Sequence, residues 1–320
     1  FLDYAFYMTF FPHLVAGPIV RAKDFLGQIN SPENLDARRY KESLFRIVTG
    51  LIKKLLIADY LGKYVDMVFE NPAFYTGGEN LLGALAYSFQ IYFDFSGYSD
   101  IAIGLALLVG YRLKENFENP YGASNVTEFW RKWHISLSTW LRDYVYIPMG
   151  GNRKGTFNTY LFLMITMLVG GFWHGASWQF VCWGAAHGLA LALHKAIYKH
   201  LPCGQWMDFI GGICTFSFVT FFWIFFRARD FDSALLMLNQ MASATSEADF
   251  MGFWFSRNEL AILLMALLSW TIIPGNWKVK LFEGTFYVPS FFWFFILLAA
   301  LQLIIQFRDT LVQPFIYFQF

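Results

Sequence analysis

The stretch RKGTFNTYLFLMITMLVGGFWHGASWQFVCWGAAHGLALALHKAIYK, residues 153–199, decides the fold. Two apolar runs, 159–173 and 176–198, are bracketed by Arg153 and Lys154 in front and by Lys195 and Lys199 behind. Basic residues gather on the cytoplasmic flanks of spanning helices, so both ends of this pair belong on one side of a membrane. The two runs therefore form a hairpin with Gly170-Gly171-Phe172-Trp173-His174-Gly175 at its tip. At about 1.5 Å per residue the first arm is roughly 22 Å long, short of the roughly 30 Å hydrocarbon core. The expected tip stops within the membrane, where non-helical backbone is tolerated only if protein buries it or it lines a watery cavity. His174 would stand at the inner end of such a cavity.

Working outward, further apolar runs near 44–58, 81–110, 207–226, 259–274 and 289–307 are expected to span. Hydrophobic residues make up 57% of the chain and charged ones 15%, well to the apolar side of soluble domains. The chain reads as all-α, a multi-spanning transmembrane helical bundle in contact with membrane lipid, with residues 1–320 as one domain. Its first residues, Phe1-Leu2-Asp3 onward, read as the end of a spanning helix, with earlier N-terminal spans missing. Segment 111–158 carries Arg112, Lys114, Arg131, Lys132, Arg142, Arg153 and Lys154 against four acids, so it is expected as a cytoplasmic-side helical segment. Residues 21–43 and 227–258 read as loops or surface helices and 72–80 as a turn. A net charge of +1 leaves no broad basic field, which excludes nucleic acid as a partner. Cys182, Cys203 and Cys214 lack C-x-x-C spacing and read as packing residues.

Residues 124–144 are expected to form one helix. Asn125 serves as its N-cap with Glu128 as reciprocal partner, and Pro148 with Gly150-Gly151 marks the stop. On that helix Trp130, Leu137 and Leu141 share a face with His134, which then points into apolar surroundings. A histidine there is either a hydrogen-bonded packing residue or, in a membrane bundle, part of a substrate or proton route.

His174 is the stronger candidate for chemistry, flanked by Gly175 and by Trp173, a wall for a flat or apolar group. A sugar hydroxyl is a poor nucleophile at neutral pH, and a neutral imidazole that takes its proton in the transition state contributes typically ~10²–10⁴-fold. The bland alternative is a helix-break histidine that ties down free carbonyls. His187 and His194 lie seven apart on one helix face, His187 as a core or supporting residue and His194 near the interface. His13 reads as structural and His200 as solvated. H-E-x-x-H and dense histidine boxes are absent, so no metal is expected. Asp94 and Asp100 should face the bundle interior and pair with an arginine or orient a histidine. No G-x-S-x-G elbow offers Ser136 or Ser138 as an acyl carrier. Arg131, Arg142 and Arg153 are candidates to grip the phosphates of a nucleotide-bearing donor, or else mark topology.

Across roughly residues 8–230 the chain resembles the membrane-bound O-acyltransferases, in particular their alginate O-acetylating branch. The resemblance rests on Phe11-Pro12-His13 through Arg21, on Phe93-Asp94-Phe95-Ser96-Gly97-Tyr98-Ser99-Asp100, and on Glu128 through Arg153. It continues in Gly170 through Ala176 and in Trp183-Gly184-Ala185-Ala186-His187-Gly188. It implies a helical bundle around a central tunnel, His174 as the catalytic histidine and His134 as the second polar position of the site. It also implies acetyl-CoA as donor with no permanently bound cofactor, a polysaccharide acceptor, and a periplasmic partner of serine-hydrolase type. The location implied is the bacterial inner membrane, crossed several times. D-alanylating relatives resemble both histidine motifs, but Asp143 through Pro148 followed by Gly150 through Arg153 looks closer to the acetylating branch.

The chain is thus expected to transfer acetyl groups from a cytoplasmic donor toward hydroxyls of an extracytoplasmic polysaccharide. Transfer of D-alanine or another acyl group is the first alternative. The second is a non-catalytic subunit that carries acyl groups or glycans; transporters usually show repeated halves, and none is visible here.

Overall fold

The computed structural model describes all residues except 15–16, 33, 199–203, 244–251, 253–255, 274–276, 278–279, 281–282, 309–313 and 317–320. Lys199, His200 and Cys203, and Ala16 of the first motif, lie outside the described residues. Regular secondary structure among the described residues is helical throughout. Five helices are long and apolar enough to cross a membrane: Gly77–Leu108, Thr156–His174, Trp178–Ile197, Gln205–Arg227 and Ser290–Phe307. The run expected at 259–274 forms a shorter helix, Asn258–Ile272, of 15 residues.

The run expected to span at 44–58 behaves differently, for an electrostatic reason. Helix Ala37–Leu51 passes through a π-helical turn, Ile52–Ala58, straight into Asp59–Glu70. Lys53 and Lys54 sit in the widened turn, and both reach the Gly77–Leu108 helix. Lys53 Nζ lies 2.5 Å from Asp100, and Lys54 Nζ lies 2.5 Å from Asp94 and 2.8 Å from Asp59. The charges that interrupt this apolar run are the ones that fasten it to its neighbour. Backbones come close here: a Cβ on Gly50 would stand 2.6 Å from the Gly97 carbonyl oxygen.

Gly77–Leu108 begins earlier than expected because Thr76 and Glu79 close a capping box. Thr76 Oγ1 accepts the Glu79 N–H at 3.3 Å, while the Glu79 carboxylate accepts the Thr76 N–H at 3.0 Å. The turn is therefore only the few residues before Thr76.

The hairpin forms as expected, with Thr156–His174 packed antiparallel on Trp178–Ile197. A Cβ on Gly184 would stand 2.6 Å from the Met167 carbonyl oxygen, and one on Gly171 would collide with the Phe180 carbonyl. Small residues at these contacts let the two backbones touch. One expectation is corrected. The first arm has 19 residues rather than 15, so at about 28 Å it matches the hydrocarbon thickness and length no longer stops the tip at mid-depth.

The core is aromatic. Trp133, Trp183 and Trp223 are buried, with Trp183 stacked on Trp223 at 5.9 Å and Trp133 tilted against it at 5.1 Å. The Trp223 indole N–H donates to the Tyr121 hydroxyl at 3.1 Å, which donates to the Ser88 carbonyl at 2.5 Å. This chain of bonds joins helix Gln205–Arg227 to Gly77–Leu108 through the loop that leads to His134.

Candidate active site

Asn125 caps helix Val126–Lys132 as the sequence predicts, its Oδ1 accepting the Glu128 N–H at 2.9 Å. The Glu128 carboxylate reaches one residue further back than expected and accepts the Ser124 N–H at 2.8 Å. The single helix over 124–144 is not observed. Trp133 is extended and His134 left-handed at φ 42°, ψ 55°, after which a second helix, Ile135–Leu141, begins. A break was invisible to periodicity because no Gly or Pro marks it. His134 still points inward, though not by the helical spacing that suggested it. The residue is 3% exposed, and its ring meets that of Phe95 edge-to-face at 4.6 Å.

His174 is the last residue of helix Thr156–His174 and is half-buried. Around it stand Trp173 at 4.9 Å, Phe226 at 4.9 Å and Trp183 at 5.4 Å, each near edge-on. The Trp173 ring also lies 6.0 Å from that of His134. Two histidines 40 positions apart in sequence thus meet one indole that is half open to the outside. Burial holds the imidazolium form of His134 well below its ordinary pKa, and repulsion from His174 adds to this. A neutral His134 can accept a proton or donate one from its remaining N–H.

His187 sits one layer behind. It is fully buried, its Nδ1 accepts the Trp130 indole N–H at 3.2 Å, and its ring packs at 4.8 Å on Trp183, which touches His174. Asp94 and Asp100 do face the interior, each paired with a lysine, and Asp100 with an arginine as expected. Asp94 takes Lys54 and accepts the Ile316 N–H at 2.9 Å, while Asp100 takes Lys53, with Arg46 at 3.8 Å. Neither carboxylate orients a histidine. From that run it is Phe95 that reaches His134, a contact with no sequence signal, as for Phe226 beside His174.

On the side of the basic segment lies a cavity of about 1020 Å³. Arg131 and Arg142 line it with Lys195, His194, Tyr146 and Asn152, over an apolar floor that includes Trp130, Ile135, Leu141 and Met167. Arg153 does not line it, and neither do His134 and His174; Ile135, next to His134, is its nearest approach in sequence. Asn152 Oδ1 accepts from the Tyr146 hydroxyl at 2.6 Å and from Lys195. Thr127 Oγ1 and His194 Nδ1 share a hydrogen bond of 2.8 Å. Lys195, Tyr146 and Asn152 escaped the sequence because only the hairpin and the turn at Gly150 and Gly151 bring them together. Such a cavity, where Arg131, Arg142 and Lys195 outnumber Glu128 beside an apolar lining, fits an anionic ligand with an apolar arm. Among the described residues no three His, Cys, Asp or Glu side chains gather as metal ligands would.

The pattern that defines the MBOAT, membrane-bound O-acyltransferase family matches residues 1–229. A "Probable alginate O-acetylase AlgI" of Pseudomonas putida is 49% identical over 245 residues, covering 76% of this chain and 49% of its own. A "Peptidoglycan O-acetyltransferase" of Helicobacter pylori is 43% identical, covering 75% of this chain and 46% of its own. A "Teichoic acid D-alanyltransferase" of Bacillus subtilis is 29% identical, covering 71% and 61%. The chain spans about half the length of the first two relatives.

Proposed function

Since the chain belongs to the membrane-bound O-acyltransferase family, and is thus part of a multi-pass membrane protein, we propose that it works as a membrane O-acetyltransferase. It moves acetyl groups from a cytoplasmic donor toward the hydroxyls of a polysaccharide outside the membrane. The observation that carries this is the pair His134 and His174 packed against one indole, that of Trp173. His174 takes the proton of the acceptor hydroxyl as that oxygen attacks the thioester carbonyl. The tetrahedral intermediate then collapses, the C–S bond breaks, and the proton held on imidazole passes to the departing sulfur. A base so placed contributes typically ~10²–10⁴-fold. His134, kept neutral by burial, orients the acceptor or passes the proton, and Trp173 walls the acyl group.

The donor is acetyl-CoA, its phosphates held by Arg131, Arg142 and Lys195 and its pantetheine arm lying along the apolar lining. Segment 111–158 then faces the cytoplasm of a bacterium whose inner membrane holds the protein. A periplasmic partner of serine-hydrolase type completes delivery to the polymer. Acetyl rather than D-alanyl transfer is supported by identities of 49% and 43% to proteins named for O-acetylation against 29% for a D-alanyltransferase.

The test is polysaccharide O-acetyl content in cells whose protein carries His174→Ala. Acetylation should disappear with the protein still present in the membrane, and undiminished acetylation would overturn the role of His174. Purified protein given radiolabelled acetyl-CoA without its partner should consume it; a protein that only conducts acyl groups would not.

A further inference from the structure

We propose that Asn116 is a positioning residue for His134, holding it in the conformation that faces Trp173 and His174. The proposal rests on the role given to His134 above.

Helix Ile135–Leu141 starts with a problem. Its first backbone N–H groups have no partner inside the helix, and the usual solution is an Asp, Asn, Ser or Thr at the N-cap whose side chain accepts them. The N-cap here is His134, and its imidazole makes no capping hydrogen bond. Asn116, from the loop after Gly77–Leu108, supplies the cap instead. Its carbonyl oxygen accepts the Ile135 N–H at 3.0 Å. Its Oδ1 accepts the Ser136 N–H at 3.1 Å and the Ser136 hydroxyl at 2.8 Å. Its Nδ2 donates to Ser99 Oγ at 3.3 Å, on the same helix as Phe95, which packs against His134. On the other side of the break the Glu118 N–H donates to the Lys132 carbonyl at 3.0 Å. Residues 116 and 118 thus grip the chain on both sides of His134.

Such a grip is needed because φ of 42° is uncommon for any residue with a side chain and persists only where the surroundings over-determine it. Asn116 is 1% exposed, so no water replaces its oxygen if the side chain is cut back. Because the cap comes from another element, the His134 ring is spared that duty and faces the aromatic rings around it. Loss of Oδ1 leaves the Ser136 donors unsatisfied, the turn relaxes, and the imidazole shifts relative to Trp173.

The experiment measures acetyl transfer from acetyl-CoA by the purified membrane protein carrying this chain, with Asn116→Ala, Asn116→Gln, Asn116→Asp, His134→Ala and the double change Asn116→Ala with His134→Ala. Thermal unfolding is followed on each. Asn116→Ala should lower kcat by roughly 10²-fold with KM for the donor unchanged, the size expected for a misplaced reacting group. Asn116→Gln, which keeps the amide but moves its oxygen, should do the same while folding. Asn116→Asp keeps an acceptor at the same place and should restore most of kcat. In the His134→Ala background Asn116→Ala should cost nothing further, since it acts through His134. Full turnover in folded Asn116→Ala or Asn116→Gln, or losses that multiply in the double variant, overturns the positioning role while leaving His134 in place. Full turnover in His134→Ala alone overturns the underlying role of His134, and the positioning with it.

Discussion

Lys54 and Asp94 meet at 2.5 Å in the interior of the bundle, with Asp59 2.8 Å away on the same ammonium group. One cation between two buried carboxylates is costly to disturb, because removing it leaves two negative charges close together and shut off from water. Lys54→Met should destabilise the protein by about 3–5 kcal/mol, the usual cost of stranding a buried charge. Adding Asp94→Leu should recover part of that loss. Thermal unfolding of detergent-solubilised variants measures both, and a Lys54→Met protein as stable as the parent would remove the pair from the framework.

Gly171 allows no Cβ because the Phe180 carbonyl occupies its place. Gly171→Val should push the hairpin arms apart at the end that carries His174. A loss of about 1–3 kcal/mol is expected from overpacking, with activity falling further than stability does. Gly155, which meets nothing where a Cβ would be built, is an uninformative control because its φ of +87° itself resists substitution; Gly27, with open space and no such φ, serves better.

Asp143 is hydrogen-bonded by Arg142 and also by Arg21, and these bonds hold its carboxyl at about 2. The folded state therefore prefers the ionised form. The stability this adds is complete above the unfolded value of about 3.9 and fades as the pH falls through about 2. The group is near the surface, so the effect is modest. In Asp143→Asn, unfolding temperature plotted against pH should fall less steeply between about pH 4 and pH 2. A parallel curve for parent and variant would contradict the assignment.

The proposed donor site makes a kinetic prediction. Arg131→Ala and Lys195→Ala should raise KM for acetyl-CoA with little change in kcat, as for contacts equally strong in ground and transition states. The rise should shrink with a short acetyl thioester lacking phosphates. Arg153→Ala, which is off the cavity, should leave KM alone. Equal KM values for all three variants would place the donor elsewhere.

The helical, membrane-crossing character was legible because it is written in composition and run length, and the hairpin because its charges and glycines are local. The motifs also pointed to His134, Trp173 and His174, whose rings the fold brings together. What could not be read was set by tertiary contact. The left-handed residue at His134 carries no Gly or Pro, and its cap stands 18 positions before it. What Lys53 and Lys54 would face was likewise not readable from the apolar run 44–58, because Asp94 and Asp100 meet them only across a helix contact. The early start of the Gly77–Leu108 helix was readable, since Thr76 and Glu79 are spaced as a capping box.

The hydrogen bond from Ile316 to Asp94 comes from beyond the stretch that the family pattern covers. The family pattern ends at residue 229, yet Lys54 Nζ lies 3.4 Å from the Pro314 carbonyl and 4.8 Å from the centre of the Phe315 ring. A protein trimmed at 229 would keep every recognised motif and still lose the tail tripeptide that closes over its innermost acid. Where the family pattern stops and where a chain can safely be cut are, for this molecule, two different places.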